Sequence, residues 1–120
     1  MSTVRSRKNK GVRLQNWVRD KLVEYSDGRL EEDDIRRAIM GEKGADVKVC
    51  NPHKTELFPF AVECKNQEKV NVWSAYEQAG ANHSNLIPLV VLKRNNTKPL
   101  VMMDAEMFIS MVLDSSNIKT

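Results

Sequence analysis

Apolar and polar positions recur along this chain in two rhythms, and the changes of rhythm divide it into elements. Over residues 11–25, Leu14, Trp17, Val18, Leu22 and Tyr25 fall at three- and four-residue spacing, which predicts a helix with one buried stripe. Ser26-Asp27-Gly28 ends it. Glu31, Glu32, Asp33 and Asp34 suit the first turn of a second helix, because carboxylates complement the positive end of the helix dipole; Ile35, Ala38 and Ile39 would be its buried side. Gly41 and Gly44 break this pattern, and the rhythm shortens to a period of two. Val47 and Val49, then Phe60 and Val62, read as two short strands joined across the turn residues Asn51-Pro52-His53.

The helical rhythm returns over 72–82 in Val72, Ala75, Tyr76 and Ala79, a helix suited to lie on a sheet. Residues 86–92 are nearly all apolar, as in an inner strand covered on both faces, with Pro88 at its start. Lys93-Arg94-Asn95-Asn96 turns the chain into another strand over 99–103. Asp104 caps a last helix in which Met107, Phe108, Met111 and Val112 repeat at helical spacing, with Met107 and Met111 filling the core. These elements predict one α/β domain over 11–113: a small mixed β-sheet flanked by helices. Residues 1–10 are expected as a flexible basic arm and 114–120 as a frayed end.

Charge changes this picture at the hairpin. If it turns near Lys54 and Thr55, Asp46 falls opposite Glu63, so both project from one face, and Lys65 returns to that face two residues later. Val47, Val49, Val62 and Cys64 then alternate to the other side, against a helix. Two adjacent carboxylates stay ionised at low cost only with a cation between them, and hard oxygen ligands suit Mg²⁺, with Mn²⁺ as a substitute. Such an ion can orient a water and neutralise a phosphate oxygen while Lys65 stabilises developing charge, which are the parts phosphodiester hydrolysis needs. The same triplet is also compatible with an exposed sheet face whose ion pairs contribute roughly 0 to 1 kcal/mol each.

The net charge of +3 conceals an asymmetry: residues 1–21 hold seven Lys or Arg against one Asp, and the remainder 12 against 15. Arg5, Arg7, Lys8, Lys10 and Arg13 are therefore candidate contacts to a polyanion such as DNA. At 120 residues one modest core is expected, and no run is long and apolar enough to span a membrane, so a cytoplasmic location is expected. The two cysteines lack histidines at ligand spacing, which excludes a zinc site or a disulfide framework. Nucleotide-cradling glycine loops are absent.

Asp46 followed by Glu63-Cys64-Lys65, framed by Gly44-Ala45 and Ala61-Val62, resembles the motif of the PD-(D/E)xK nuclease superfamily. The Lys10-Gly11 start and Gln78 are similar to small archaeal and phage Holliday junction resolvases and to stand-alone VRR-Nuc nucleases. The resemblance implies a restriction-endonuclease-like core and a Mg²⁺-dependent endonuclease selective for four-way or other branched DNA junctions. It further implies a homodimer and, for a phage-encoded chain, action in an infected host cell. Asp46 and Glu63 would bind the metal, with Lys65 and Gln78 catalytic. Where these families carry a glutamate in the first helix, this chain has Gln15, an amide that can act from an outer shell but cannot neutralise a cation. A catalytically inactive nucleic-acid-binding protein of the same fold, or a plain α/β interaction module, are the alternative readings.

Overall fold

Thr3 sets the start of the first helix: its hydroxyl accepts a hydrogen bond from the Ser6 N–H at 3.0 Å and caps α1, Val4–Tyr25, in the computed structural model. The structure describes residues 3–38, 44–81 and 85–114. With that cap, α1 starts seven residues before the position expected from Gly11, which lies inside the helix at a cost of about 1 kcal/mol relative to alanine. Arg5, Arg7, Lys8 and Lys10, expected within a flexible arm over 1–10, therefore lie on the first turns of α1. Leu14 and Val18 carry the buried stripe, flanked by Leu22 and Val23. Trp17 and Tyr25, expected in that stripe, are 41% and 74% exposed.

The second expected helix is a strand. Glu32–Asp34 form a single 3-10 turn, followed by β1, Ile35–Arg37, which pairs antiparallel with β2, Val47–Val49. The cause lies in Asp34, whose carboxylate turns back to the Glu31 N–H at 2.8 Å and is gripped from a distant loop by Lys54 Nζ at 2.7 Å and Asn51 Nδ2 at 2.8 Å. These bonds stop the acidic run after one turn, and β-branched Ile35 buries beside Val49. Ile39 lies outside the described residues.

The Lys54 ammonium, with the Glu31 N–H and the Asn51 amide, lowers the Asp34 pKa from 3.8 to about 2. A carboxylate depressed on folding contributes stability that is present above its ordinary pKa and lost as pH falls through its native one. Acid unfolding of the wild type between about pH 4 and pH 2 should therefore be steeper than that of Lys54→Met, as followed by circular dichroism.

β2 pairs antiparallel with β3, Phe60–Asn66, through Val47 and Val62, completing the expected hairpin. Helix α2, Val72–Ala81, then carries the chain to β4, Ile87–Lys93, which lies parallel to β3, and β5, Leu100–Met102, adds antiparallel at the edge. The result is a mixed five-stranded sheet in the order β1-β2-β3-β4-β5. One face packs Val47, Val49, Val62, Cys64, Leu89 and Val91 against Leu14 and Val18 of α1. The other packs Val90 against Ala75 and Ala79 of α2, with Tyr76, Leu92 and Met102 around them. β4 is apolar throughout because both its faces are covered, and Pro88 sits at its second position as expected.

Asp104 caps the last helix, α3, Ala105–Leu113, by accepting the Met107 N–H at 2.8 Å. Contrary to the core role expected for its methionines, α3 has no buried residue: Met107 is 40% and Phe108 52% exposed. The sheet faces are already taken by α1 and α2, so a helix following the edge strand finds no free face to cover. Among the described residues no helix is long and apolar enough to cross a membrane.

Candidate active site

Asp46 stands one residue before β2, next to the Val47–Val62 pair that joins β2 to β3. Gly44, at φ 124°, turns the chain into this approach with a backbone conformation that side chains disfavour. The Asp46 N–H donates to the Val62 carbonyl and its own carbonyl accepts the Ala38 N–H, both at 2.8 Å, so its backbone is fixed between β1 and β3. Its carboxylate Oδ2 accepts the Cys64 N–H at 2.8 Å. Glu63, with Val90 as its β4 neighbour, lies on the α2 face and is 7% exposed. Lys65 returns to that face, and its Nζ stands 3.6 Å from Glu63 Oε2.

Burial pushes the Asp46 pKa upward against the pull of the Cys64 N–H and of Lys65. Glu63 is pushed the same way by burial and then by the Asp46 charge, with Lys65 opposing. Two carboxylates that each resist ionisation, one because of the other, form a site that a cation relieves. The Cys64 thiol, buried on the opposite face in the core against α1, is held well above its usual pKa by desolvation and then by both carboxylates, and it packs as a core group.

Among the described residues no group of three or more His, Cys, Asp or Glu is placed to hold a metal ion. The chain offers the pair Asp46 and Glu63, and two carboxylates suit Mg²⁺, which commonly takes one or two from a protein and completes its shell with waters and substrate phosphate. The fit has a measurable consequence in the metal-free protein. A carboxylate raised on folding contributes stability below its ordinary pKa that is lost as pH rises through the native one. At neutral pH without divalent cations, Glu63→Gln should therefore melt a few degrees higher than the wild type, with the gap closing in acid. Millimolar Mg²⁺ should raise the wild-type Tm and leave that of the variant in place.

The other sequence candidates are spread around this triplet. Gln78 is exposed on α2, the helix over the Glu63 face, and its side chain makes no hydrogen bond among the described residues. Gln15 is half-buried on α1, which covers the opposite face, and makes no hydrogen bond to Asp46, Glu63 or Lys65. Arg5, Arg7 and Lys8 are exposed on the first turns of α1. Lys10 and Arg13 line a cavity of about 510 Å³ together with Asn66, Lys93, Asn95 and Asn96, which pattern reading had noted only as turn and loop residues. The signal for Asn66 was its place next to Lys65, since alternation sends successive strand residues to opposite faces.

A family model described as "Phage putative PDDEXK endonuclease" matches residues 6–120. No curated protein and no solved structure matches the chain. The match spans nearly all of the sequence and contains the Asp46, Glu63 and Lys65 positions within a mixed sheet flanked by helices, so the chain belongs to this phage family of PDDEXK nucleases.

Proposed function

We propose that the protein is a Mg²⁺-dependent endonuclease that hydrolyses phosphodiester bonds in branched DNA, with four-way junctions the preferred substrate. The observation that supports it most is the Asp46 carboxylate accepting the Cys64 N–H at 2.8 Å, one residue from Glu63, with Lys65 3.6 Å from the Glu63 carboxylate. Asp46 and Glu63 would hold the ion. When bound, it supplies a polarised water and neutralises a non-bridging phosphate oxygen. The chain's own groups do the rest: the Cys64 N–H aims the Asp46 carboxylate, and Lys65 stabilises negative charge as it develops on the phosphoryl oxygens. Gln78, on the helix over this face, would orient the attacking water. Water attacks phosphorus in line, the bond to O3′ breaks, and the products carry a 5′-phosphate and a 3′-hydroxyl. The cations of α1 hold flanking phosphates.

The preference for junctions rests on symmetry. α3 presents Met107, Phe108, Ile109 and Val112, each at least 40% exposed, and a second copy packed on this face would create two equivalent sites. Phe108→Glu should convert a dimer into a monomer by light scattering after size exclusion; a wild type that is monomeric at high micromolar concentration would contradict this. A second reading, a catalytically idle DNA-binding protein, draws on Gln15 in place of the resolvase glutamate and on the two-carboxylate site. The match to a phage family supports action in an infected host cell as part of this reading. The substrate assignment is tested by offering labelled four-way junction, flap, duplex and single-stranded DNA with Mg²⁺ or Mn²⁺. Paired symmetric nicks in the junction at rates well above duplex cleavage support it, and equal rates on all forms would remove the junction preference.

A further inference from the structure

On the sheet face away from the carboxylates, Lys10, Arg13, Leu14 and Trp17 line up at helical spacing along α1 and form one wall of a cleft of about 510 Å³. The opposite wall is the end of β3 at Asn66, the end of β4 at Lys93, and the following turn at Asn95 and Asn96. The volume lies within the range of about 300–1,000 Å³ usual for ligand pockets. Every charged residue of the lining is a cation, and the remaining polar groups are three asparagine amides and an indole N–H.

The cleft is held in shape by bonds between its walls. Asn66 Nδ2 donates to the Lys10 carbonyl at 3.0 Å, and Lys10 Nζ donates to Asn95 Oδ1 at 2.9 Å. Lys93 Nζ spans the turn to the Arg94 and Thr97 carbonyls, and Asn96 holds a left-handed conformation at φ 63°. Glu68 accepts the Asn95 N–H at 2.6 Å, but it is not part of the lining. Among the described residues the Arg13 side chain makes no hydrogen bond or ion pair, so its guanidinium donors are available. Trp17, 41% exposed, adds an aromatic surface to this wall.

We propose that this cleft binds an unstacked nucleotide of a single-stranded segment, with Arg13, Lys10 and Lys93 toward its phosphates, the asparagine amides toward the base edge, and Trp17 against the base. Cations alone would suit any phosphate. The indole narrows the choice, because a base inside a duplex has both faces covered and only an unpaired one can stack on a side chain. Lys65 and Asn66 are consecutive on β3, so their side chains leave the sheet on opposite faces, one beside the carboxylates and the other in the cleft. A strand passing the end of β3 meets both. This position relative to the cut rests on the nuclease reading above; the binding of the nucleotide does not. It gives selection of branched over smooth duplex DNA a basis in named residues.

The test uses the full chain with Trp73→Phe, which leaves Trp17 as the sole indole. With EDTA present, so that no cleavage is needed, the protein is titrated with an oligothymidylate of about 12 nucleotides, with a duplex of equal length and with thymidine monophosphate. Saturable quenching of Trp17 by the single strand, at lower concentration than for the duplex or the mononucleotide, is expected. Arg13→Ala, an exposed helix position where alanine favours the helix, should weaken single-strand binding severalfold and flatten its log–log salt slope by about 0.7. Trp17→Leu, read by anisotropy of a labelled strand, should weaken it about tenfold. Unchanged Trp17 emission together with an unaltered Arg13→Ala affinity would overturn the proposal, even if the enzyme cleaves DNA. Equal affinity for the mononucleotide would overturn the assignment to a strand. Quenching in a protein that cuts no substrate would support the cleft and sink the nuclease reading instead.

Discussion

Glu63→Gln should reduce DNA cleavage by more than about 100-fold while leaving a folded protein that binds DNA. Changes to groups that merely support a metal's ligands typically cost about 10–100-fold, so loss of one of only two carboxylates lies at or beyond that range. Glutamine keeps the volume and a carbonyl oxygen at a site that is 7% exposed, so no cavity opens in the sheet. What disappears is a charge. Asp46 alone then faces the cation, and Lys65 loses the carboxylate 3.6 Å from its ammonium. An idle interaction module would show no such loss, and a fall in activity with a parallel fall in Tm would indicate simple unfolding. The expected pattern is the reverse in stability, since removing a buried carboxylate that resists ionisation should raise the metal-free Tm.

Lys65→Met should lower kcat by about 100- to 1,000-fold, the range found when one charge-stabilising donor is removed from an active site. Methionine retains most of the half-buried stem, so packing at the end of β3 is kept while the charge is removed. Because Lys65 opposes the upward push on both carboxylates, its loss should also move the acid limb of the pH–rate profile to higher pH. Metal binding should persist, and KM for DNA should change little. That split distinguishes Lys65 from a phosphate contact such as Arg13, whose loss should act on affinity. Lys65→Arg should restore part of the rate, because it returns the charge without the compact ammonium.

The hairpin that carries the triplet was legible because a strand has a strict period of two. Once Val47, Val49 and Val62 are assigned to one face, a turn near Lys54 and Thr55 sets Val47 opposite Val62, which is the observed pairing, while Asp46 departs from the regular register and bonds the Val62 carbonyl through its N–H and the Cys64 N–H through its carboxylate. The inner strand β4 was equally legible, as an apolar run bounded by turn residues. Where the reading failed, distant contacts decided the outcome. Glu31 to Asp34 have the local character of a helix start, but Lys54 and Asn51, about 20 residues away, capture Asp34 and release Ile35 into a strand. Trp17 shares the spacing of the α1 stripe, yet at the edge of the sheet its indole borders the cleft instead of the core. Helical spacing in α3 correctly marked a helix and its cap at Asp104. It could not reveal that both sheet faces were already occupied, which leaves Phe108 and its neighbours exposed. The pocket residues Asn66, Lys93, Asn95 and Asn96 carry no periodic signal at all, because they meet Lys10 and Arg13 only in the folded chain.

The central claim is that Asp46, Glu63 and Lys65 form a divalent-metal phosphodiesterase, and end-labelled DNA incubated with wild type and Glu63→Gln, in Mg²⁺ or in EDTA, tests it most directly. The account predicts 5′-phosphorylated products from the wild type with Mg²⁺, and none from the variant or from either protein in EDTA. Cleavage that survives EDTA or the Glu63→Gln substitution, or no cleavage by a wild type that binds the same DNA tightly, would contradict it.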